Sequence, residues 1–326
     1  MSAWHKLKWP LLALALALAF NAVATPGFFT FTVRDGRLYG SIIDILNRAA
    51  PVMLLALGMT LVIATGGVDL SVGAVMAITG ASAALLITKT SFGVPAVISL
   101  SLAVAVVAGL WNGLLVGLCK VPPIVATLIL MVSGRGIAQL LTDGQIITFE
   151  NKSFEYTGRG ALAGLPFTIT LVLVVWAGLT LLKSRTALGL FIECTGDNET
   201  ASRYAGVSTS LVKLATYAAC ALCAGLAGLI VTADIKAADA NNAGLWLELD
   251  AILATVIGGT ALTGGRFFLG GSLIGAVLIQ TLTTTILTRG VAVELTLVVK
   301  AVVVILVCLL QSEKFRALFL RRRVAT

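Results

Sequence analysis

Thr65-Gly66-Gly67-Val68-Asp69-Leu70-Ser71-Val72-Gly73 interrupts an otherwise apolar region of the chain. The runs on either side, 51–64 and 74–87, are each shorter than the roughly 20 apolar residues that cross about 30 Å of hydrocarbon. Two adjacent glycines relax the backbone, and Asp69 or Ser71 is expected to cap the restarting helix by accepting bonds from its orphan N–H groups. Irregular backbone at membrane depth is stable only where protein or a wet cavity surrounds it. A broken helix here reads as the wall of a pathway. A tight polar turn at the membrane surface, with Asp69 as a plain N-cap, fits the same residues.

The composition decides the class. Of 326 residues, 58% are hydrophobic and 12% charged, and the mean hydropathy is +1.02. A soluble protein of this size carries about twice that share of charge, so this is a polytopic membrane protein. The 33 glycines suit close helix packing in lipid. Gly109, Gly113 and Gly117 form two overlapping GxxxG units, and Gly271 and Gly275 another. Cys220-Ala221-Leu222-Cys223 has no second pair, and the only histidine is His5, which argues against a zinc or redox site and for small buried thiols. The net charge of +8 is spread so as to favour a membrane over nucleic acid.

Along the chain, 10–29 reads as a first helix; its basic start and Ala22-Val23-Ala24 resemble a secretory signal, but the apolar run continues and further spans follow, so an uncleaved helix is expected. A polar connector over 30–48 leads to the broken pair. Spans follow at 94–118, 124–141 and 167–182, with an irregular or β-rich loop over 143–164. A hydrophilic segment, 183–213, holds a short amphipathic helix begun by Asp197 or Asn198 and stopped by Gly206. After a span at 214–232, a polar loop and the 12-residue run 251–262 suggest a re-entrant or partial crossing. Spans at 270–287 and 293–310 precede a basic tail over 311–326. The expected fold is an all-α polytopic protein of about ten transmembrane helices with broken or re-entrant segments, a single transmembrane domain over 1–326. Lys6, Lys8, Lys120, Lys183, Arg185, Arg203, Lys213, Arg266 and the arginines of the tail fall on one side, which places both termini in the cytoplasm. Arg135 and Lys300 lie inside predicted spans, where an unpaired charge costs about 2.5–3.5 kcal/mol. Arg135 is expected to turn inward and bond carbonyls or a carboxylate; Lys300 is left to snorkel, which its mid-span position hinders.

Gly67-Val68-Asp69-Leu70-Ser71-Val72-Gly73, the Gly196…Ala201…Ala205-Gly206 pattern, and Glu248-Leu249-Asp250-Ala251-Ile252 with Gly258-Gly259 and Gly264-Gly265 together resemble the ribose-type sugar permeases of bacterial ABC importers. Residues 239–246 and 41–51 are similar to the galactofuranose permeases of that family. The resemblance implies an ABC importer permease fold in the inner membrane, working with a periplasmic sugar-binding protein, an ABC ATPase and a second, non-identical permease. It also implies that 183–213 is the cytoplasmic coupling loop, with Gly196, Glu199, Ala201, Arg203, Ala205 and Gly206 contacting the ATPase. No G-x-x-x-x-G-K-[ST] occurs, so ATP and Mg²⁺ are expected on the partner, and no cofactor on this chain.

A neutral sugar needs modest hydrogen-bonding groups and stacking surfaces. Asp69, Ser71 and Asn112 near the break, and Asn241, Asn242 and Trp246 in the outer loop, are the candidates for its pathway. The plainer reading makes Asn241 and Asn242 helix caps or binding-protein contacts. A secondary transporter would need an ion or proton relay, for which only Asp69 offers a deep carboxylate. An intramembrane enzyme would need a nucleophile and base that the spans do not supply.

Overall fold

The computed structural model describes residues 3–34, 36–290 and 293–311; the basic tail lies, beyond Gln311, outside the described residues. Helix α1 (Ala3–Ala24) is followed by a hairpin of β1 (Thr32–Arg34) and β2 (Arg37–Tyr39), then α2 (Ser41–Ala64), α3 (Val72–Lys89), α4 (Val94–Gly117) and α5 (Pro123–Leu141). The next connection holds β3 (Ile147–Thr148), α6 (Lys152–Arg159), β4 (Ala161–Leu162) and β5 (Leu165–Pro166). Then come α7 (Phe167–Arg185), α8 (Ala187–Asp197), α9 (Glu199–Tyr204) and α10 (Thr209–Ile235). After β6 (Ala237–Ala238) the chain ends in α11 (Leu247–Ile257), α12 (Leu269–Thr288) and α13 (Val293–Gln311). Among the described residues eight helices are long and apolar enough to cross a membrane. With the 11-residue α11 and the 19-residue α13 they make up the expected ten segments of an all-α, polytopic protein.

One boundary differs from its sequence expectation in a way that matters. The polar stretch before Pro51 is not a connector. Asp44, Asn47 and Arg48 form the first turns of α2, which is a full 24-residue span. Pro51 lies inside the helix, which continues through it with α10, α11 and α12 packed around its buried half. Only the second member of the broken pair, the 18-residue α3, is short.

Helix α10 is the axis. Gly109, Gly113 and Gly117 of α4 lie against its first three turns, where a Cβ would fall 2.5–2.8 Å from atoms of Ala221, Leu214 and Ser210. Without side chains at these positions the two helices approach backbone to backbone, the small-residue packing that lipid favours. Gly58 of α2 meets Cys220, and Gly228 meets Met76 of α3. The buried Tyr217, Cys220, Ala221 and Ala224 of α10 join Leu54, Leu55, Val75 and Met76 in the main core. Helix α1 docks on α12, where the Asn21 amide donates to the Thr285 hydroxyl at 2.6 Å.

The two faces of the bundle follow from these contacts. The ends of α2, α4 and α7 and the start of α10 gather at the face that carries α8 and α9. The hairpin β1–β2, α6 and the β3–β6 pair lie at the opposite face, where Lys236 reaches Glu155 at 2.7 Å and Arg159 reaches Asp234 at 3.1 Å.

Gly113→Leu is expected to force α4 from α10 and cost about 1–3 kcal/mol through overpacking. Gly136→Ala, in the interior of α5 where a new Cβ meets nothing within 4 Å, should hold or raise the melting temperature in detergent. A thermal scan of both variants checks this.

Candidate functional site

In the break over 65–71 Gly66 is exposed, but Asp69 is 1% exposed and Ser71 not at all, so both polar side chains are enclosed by protein. Gly67 lies against the Tyr217 hydroxyl, eight residues into α10, a depth of about 12 Å at 1.5 Å per residue. The capping differs from expectation. Ser71 stands at the N-cap of α3, but its side chain makes no cap bond. Asp69 instead accepts from the Ser71 N–H at 2.9 Å and the Ser71 hydroxyl at 2.6 Å, bracing the turn ahead of the helix. Asn112 of α4 completes the group, donating from Nδ2 to Ser71 Oγ at 2.9 Å and to Asp69 Oδ1 at 3.4 Å. The Val68 carbonyl accepts from Tyr217 at 3.3 Å and from Thr127 at 3.5 Å. Thus Asp69, Ser71 and Asn112 form one cluster shared by the break, α4 and α10. Two cavities, of about 210 and 250 Å³, lie at the opposite face and are lined by other residues. The hydrogen bonds of the cluster hold the break in shape.

Asn241, Asn242 and Trp246 are elsewhere and exposed. They belong to a non-helical lead-in, 239–246, that descends from β6 to α11 and meets the start of α3, where Gly244 packs on Gly73. Asp239 folds the lead-in by accepting from the N–H groups of Asn241 and Asn242 at 3.0 and 3.1 Å. Asn242 also donates its side-chain amide to Asp239 at 2.8 Å, and Gln139 donates to Asn241 at 2.7 Å. Trp246 adopts φ +65° at the N-cap of α11 and shows 53% of its surface.

Arg135 holds this lead-in from behind, donating to the carbonyls of Ala240 at 3.0 Å and Ala243 at 2.6 Å. Its inward, carbonyl-bonded setting is the one its mid-span position demanded. Lys300 does not snorkel: it pairs with Asp250 of α11 at 2.7 Å and ties α13 to α11. Sequence reasoning missed that partner, fifty residues away with no local pattern linking the two.

On the other face the short helix expected from Asp197 or Asn198 to Gly206 is α9, and a further helix, α8, precedes it. Helix α8 ends at Asp197; Asn198 caps α9 by accepting from the Ala201 N–H at 2.9 Å, and Gly206 at φ +85° stops the chain beyond it. Ala201, Arg203, Ala205 and Gly206 are exposed, as is Tyr204 at 89%, a residue the sequence reading passed over. Gly196, partly exposed in the last turn of α8, lies with its backbone against Ala64 and Gly265. Glu199 anchors α9 at 2.7 Å from Lys213 and 3.4 Å from Lys120, with Arg203 as a third cation. Burial alone would raise its carboxyl, but the bond to Lys213 and the surrounding charges outweigh burial and hold it down at about 2.

Two outcomes follow. Arg135→Gln strips a charge-assisted pair from the lead-in and should lower stability by about 2–3 kcal/mol, read as folded yield and melting temperature; normal yield with altered transport preference would assign Arg135 to substrate contact. For Glu199, the folded value lies below the ordinary 4.5, so its contribution is whole above about pH 4.5 and fades as pH falls toward about 2. The stability gap between wild type and Glu199→Gln should therefore stay constant from about pH 5 to 8 and close in acid.

Residues 41–308 match the family described as the permease component of branched-chain amino acid transport systems. The chain is 53% identical to the galactofuranose transporter permease protein YtfT of Escherichia coli strain K12, over 96% of this chain and 93% of that one. It is 38% identical to the fructose import permease protein FruF of Bifidobacterium longum strain NCC 2705, over 96% and 89% of the two chains. It is 34% identical to the ribose import permease protein RbsC of Escherichia coli strain K12, over 96% and 95%. With the family match covering most of the chain and sugar permeases aligning from end to end, this multi-pass membrane protein belongs to the ribose-type sugar permeases of ABC importers.

Proposed function

We propose that this chain is the permease subunit of an ATP-driven importer that moves a monosaccharide, galactofuranose, from periplasm to cytoplasm. The observation that carries the reading is the 53% identity, along nearly the whole of both chains, to a permease named for that sugar. The protein sits in the bacterial inner membrane with both termini and the α8–α9 face in the cytoplasm. The clustering of Lys120, Lys183, Arg185, Arg203 and Lys213 at that face supports this orientation.

The division of labour follows from the residues. Ala201, Arg203, Tyr204, Ala205 and Gly206 present a small-residue surface with one protruding ring, suited to a groove on the ABC ATPase. ATP and Mg²⁺ are bound by that partner; this chain carries no cofactor. The periplasmic sugar-binding protein meets the opposite face, near the charged cleft bordered by Arg37, Asp44, Arg159 and Asp234. The exposure of Asn241, Asn242 and Trp246 supports a passage formed against a second, non-identical permease. In that passage the amides exchange hydrogen bonds with sugar hydroxyls and the indole covers a ring face. Weak contacts of this kind suit transit, since tight binding would oppose release. Asp69, Ser71 and Asn112 shape the helix break behind this surface.

The test is uptake of labelled galactofuranose, ribose and galactopyranose by membranes carrying the complete complex. Galactofuranose should enter only with ATP, and Asn242→Ala and Trp246→Ala should each reduce entry about tenfold, a loss of roughly 1.4 kcal/mol. Preferential entry of ribose or galactopyranose would reassign the sugar. Uptake that ignores ATP depletion but stops with an ionophore would make the protein an ion-coupled carrier. Ala205→Trp should strip the ATPase from the purified complex.

A further inference from the structure

At one point α8 meets the bundle through backbone alone. Gly196 lies on the carbonyl of Ala64, the last residue of α2, and a Cβ there would overlap that oxygen and come within 2.5 Å of the Gly265 nitrogen. Gly265, in the turn between α11 and α12, donates its N–H to the Ala64 carbonyl at 2.9 Å. A Cβ on Gly264 would fall 2.8 Å from the Gly196 oxygen and 2.9 Å from the Gly66 nitrogen. Three segments distant in sequence are thus keyed together without an intervening side chain.

The same partner holds the other end of the break. A Cβ on Gly244, in the lead-in to α11, would lie 2.6 Å from the Gly73 oxygen. The segment 239–265 therefore grips the break at Gly66, through Gly264, and again at Gly73, through Gly244. It is itself locked to α12, where a Cβ on Gly258 would fall 2.5 Å from the Ser272 nitrogen. A side-chain contact can absorb a displacement by bending a χ angle roughly 30° off its rotamer, at about 0.5–1.5 kcal/mol. Backbone on backbone has no such slack, and closely packed interfaces pass displacements on.

We infer that Gly196 is a positioning residue, not an ATPase contact: through this rigid seam, motion of α8–α9 reaches the Asp69 break and the Asn241–Trp246 surface together. The inference rests on the reading of α8–α9 as the ATPase dock.

Gly196→Ala is the direct test, in the complete complex. It should keep the ATPase bound and hydrolysing while sugar delivered per ATP falls at least about fivefold. Ala205→Trp, by contrast, should lose the ATPase itself, so a failure of docking is distinguishable from a failure of transmission. Unchanged delivery per ATP, or loss of the ATPase from Gly196→Ala, would overturn the assignment. Should Gly196→Ala fail to accumulate, a Cys pair decides. The Cβ of residue 265 would lie 4.0 Å from that of Asp197, within disulfide reach. A rigid seam predicts that Asp197→Cys/Gly265→Cys transports within about twofold whether oxidised or reduced, judged against wild type under the same oxidant. Its own reduced form is the reference, so strain at residue 265 cancels. Transport blocked by oxidation and restored by dithiothreitol would show that α8 slides over the turn, and would sink the proposal.

Discussion

Backbone that is neither helix nor closed sheet cannot face lipid, because each unpaired N–H or carbonyl costs several kcal/mol there. Residues 65–71 are such backbone, and much of the bundle serves to satisfy them. The N–H groups of Gly66 and Gly67 turn back to Ile63 and Val62. Asp69 gathers the Ser71 N–H and hydroxyl, and Asn112 reaches in from α4. The hydroxyls of Tyr217 and Thr127 approach the Val68 carbonyl from α10 and α5. For those side chains to reach, α4 and α10 must lie almost backbone to backbone. The glycine face of α4 and the buried small residues of α10 follow from that need.

The second irregular stretch, 239–246, meets the same demand differently. Its carbonyls are bonded by a cation, Arg135, and its N–H groups by an anion, Asp239. Each charge has its reason in a neighbouring backbone, so neither is an isolated ion in a poor solvent. The second stretch meets the first turn of α3, just past the break, where Gly244 packs on Gly73.

What could be read in advance follows the range of the interactions. Hydropathy, the glycine-rich break and the Asn198-to-Gly206 helix signals are local, and so was the reading of Arg135, whose cost depends only on depth. The start of α2 was misread because Asp44, Asn47 and Arg48 look like a linker. They stand at the aqueous mouth of a span, where polar side chains cost little. Gly196 was grouped with Ala201 and Ala205 by the family resemblance, but it belongs to α8, and the Asn198 cap starts α9 beyond it. The meeting of Asn112 with Asp69, and of Lys300 with Asp250, joins residues on separate helices; no single-helix pattern carries it.

The Lys300–Asp250 pair also bears on how the protein is made. Helix α11 is only 11 residues long and begins with Glu248 and Asp250, while α13 carries a lysine mid-span. Each is a poor candidate for insertion by itself, with a penalty of about 2.5–3.5 kcal/mol for a central charge. Synthesis runs from the N-terminus, so α11 leaves the ribosome first and its carboxylate waits for the cation that follows. Insertion of the last crossings is therefore expected to be interdependent, with Asp250 of α11 paired only once Lys300 of α13 has been made.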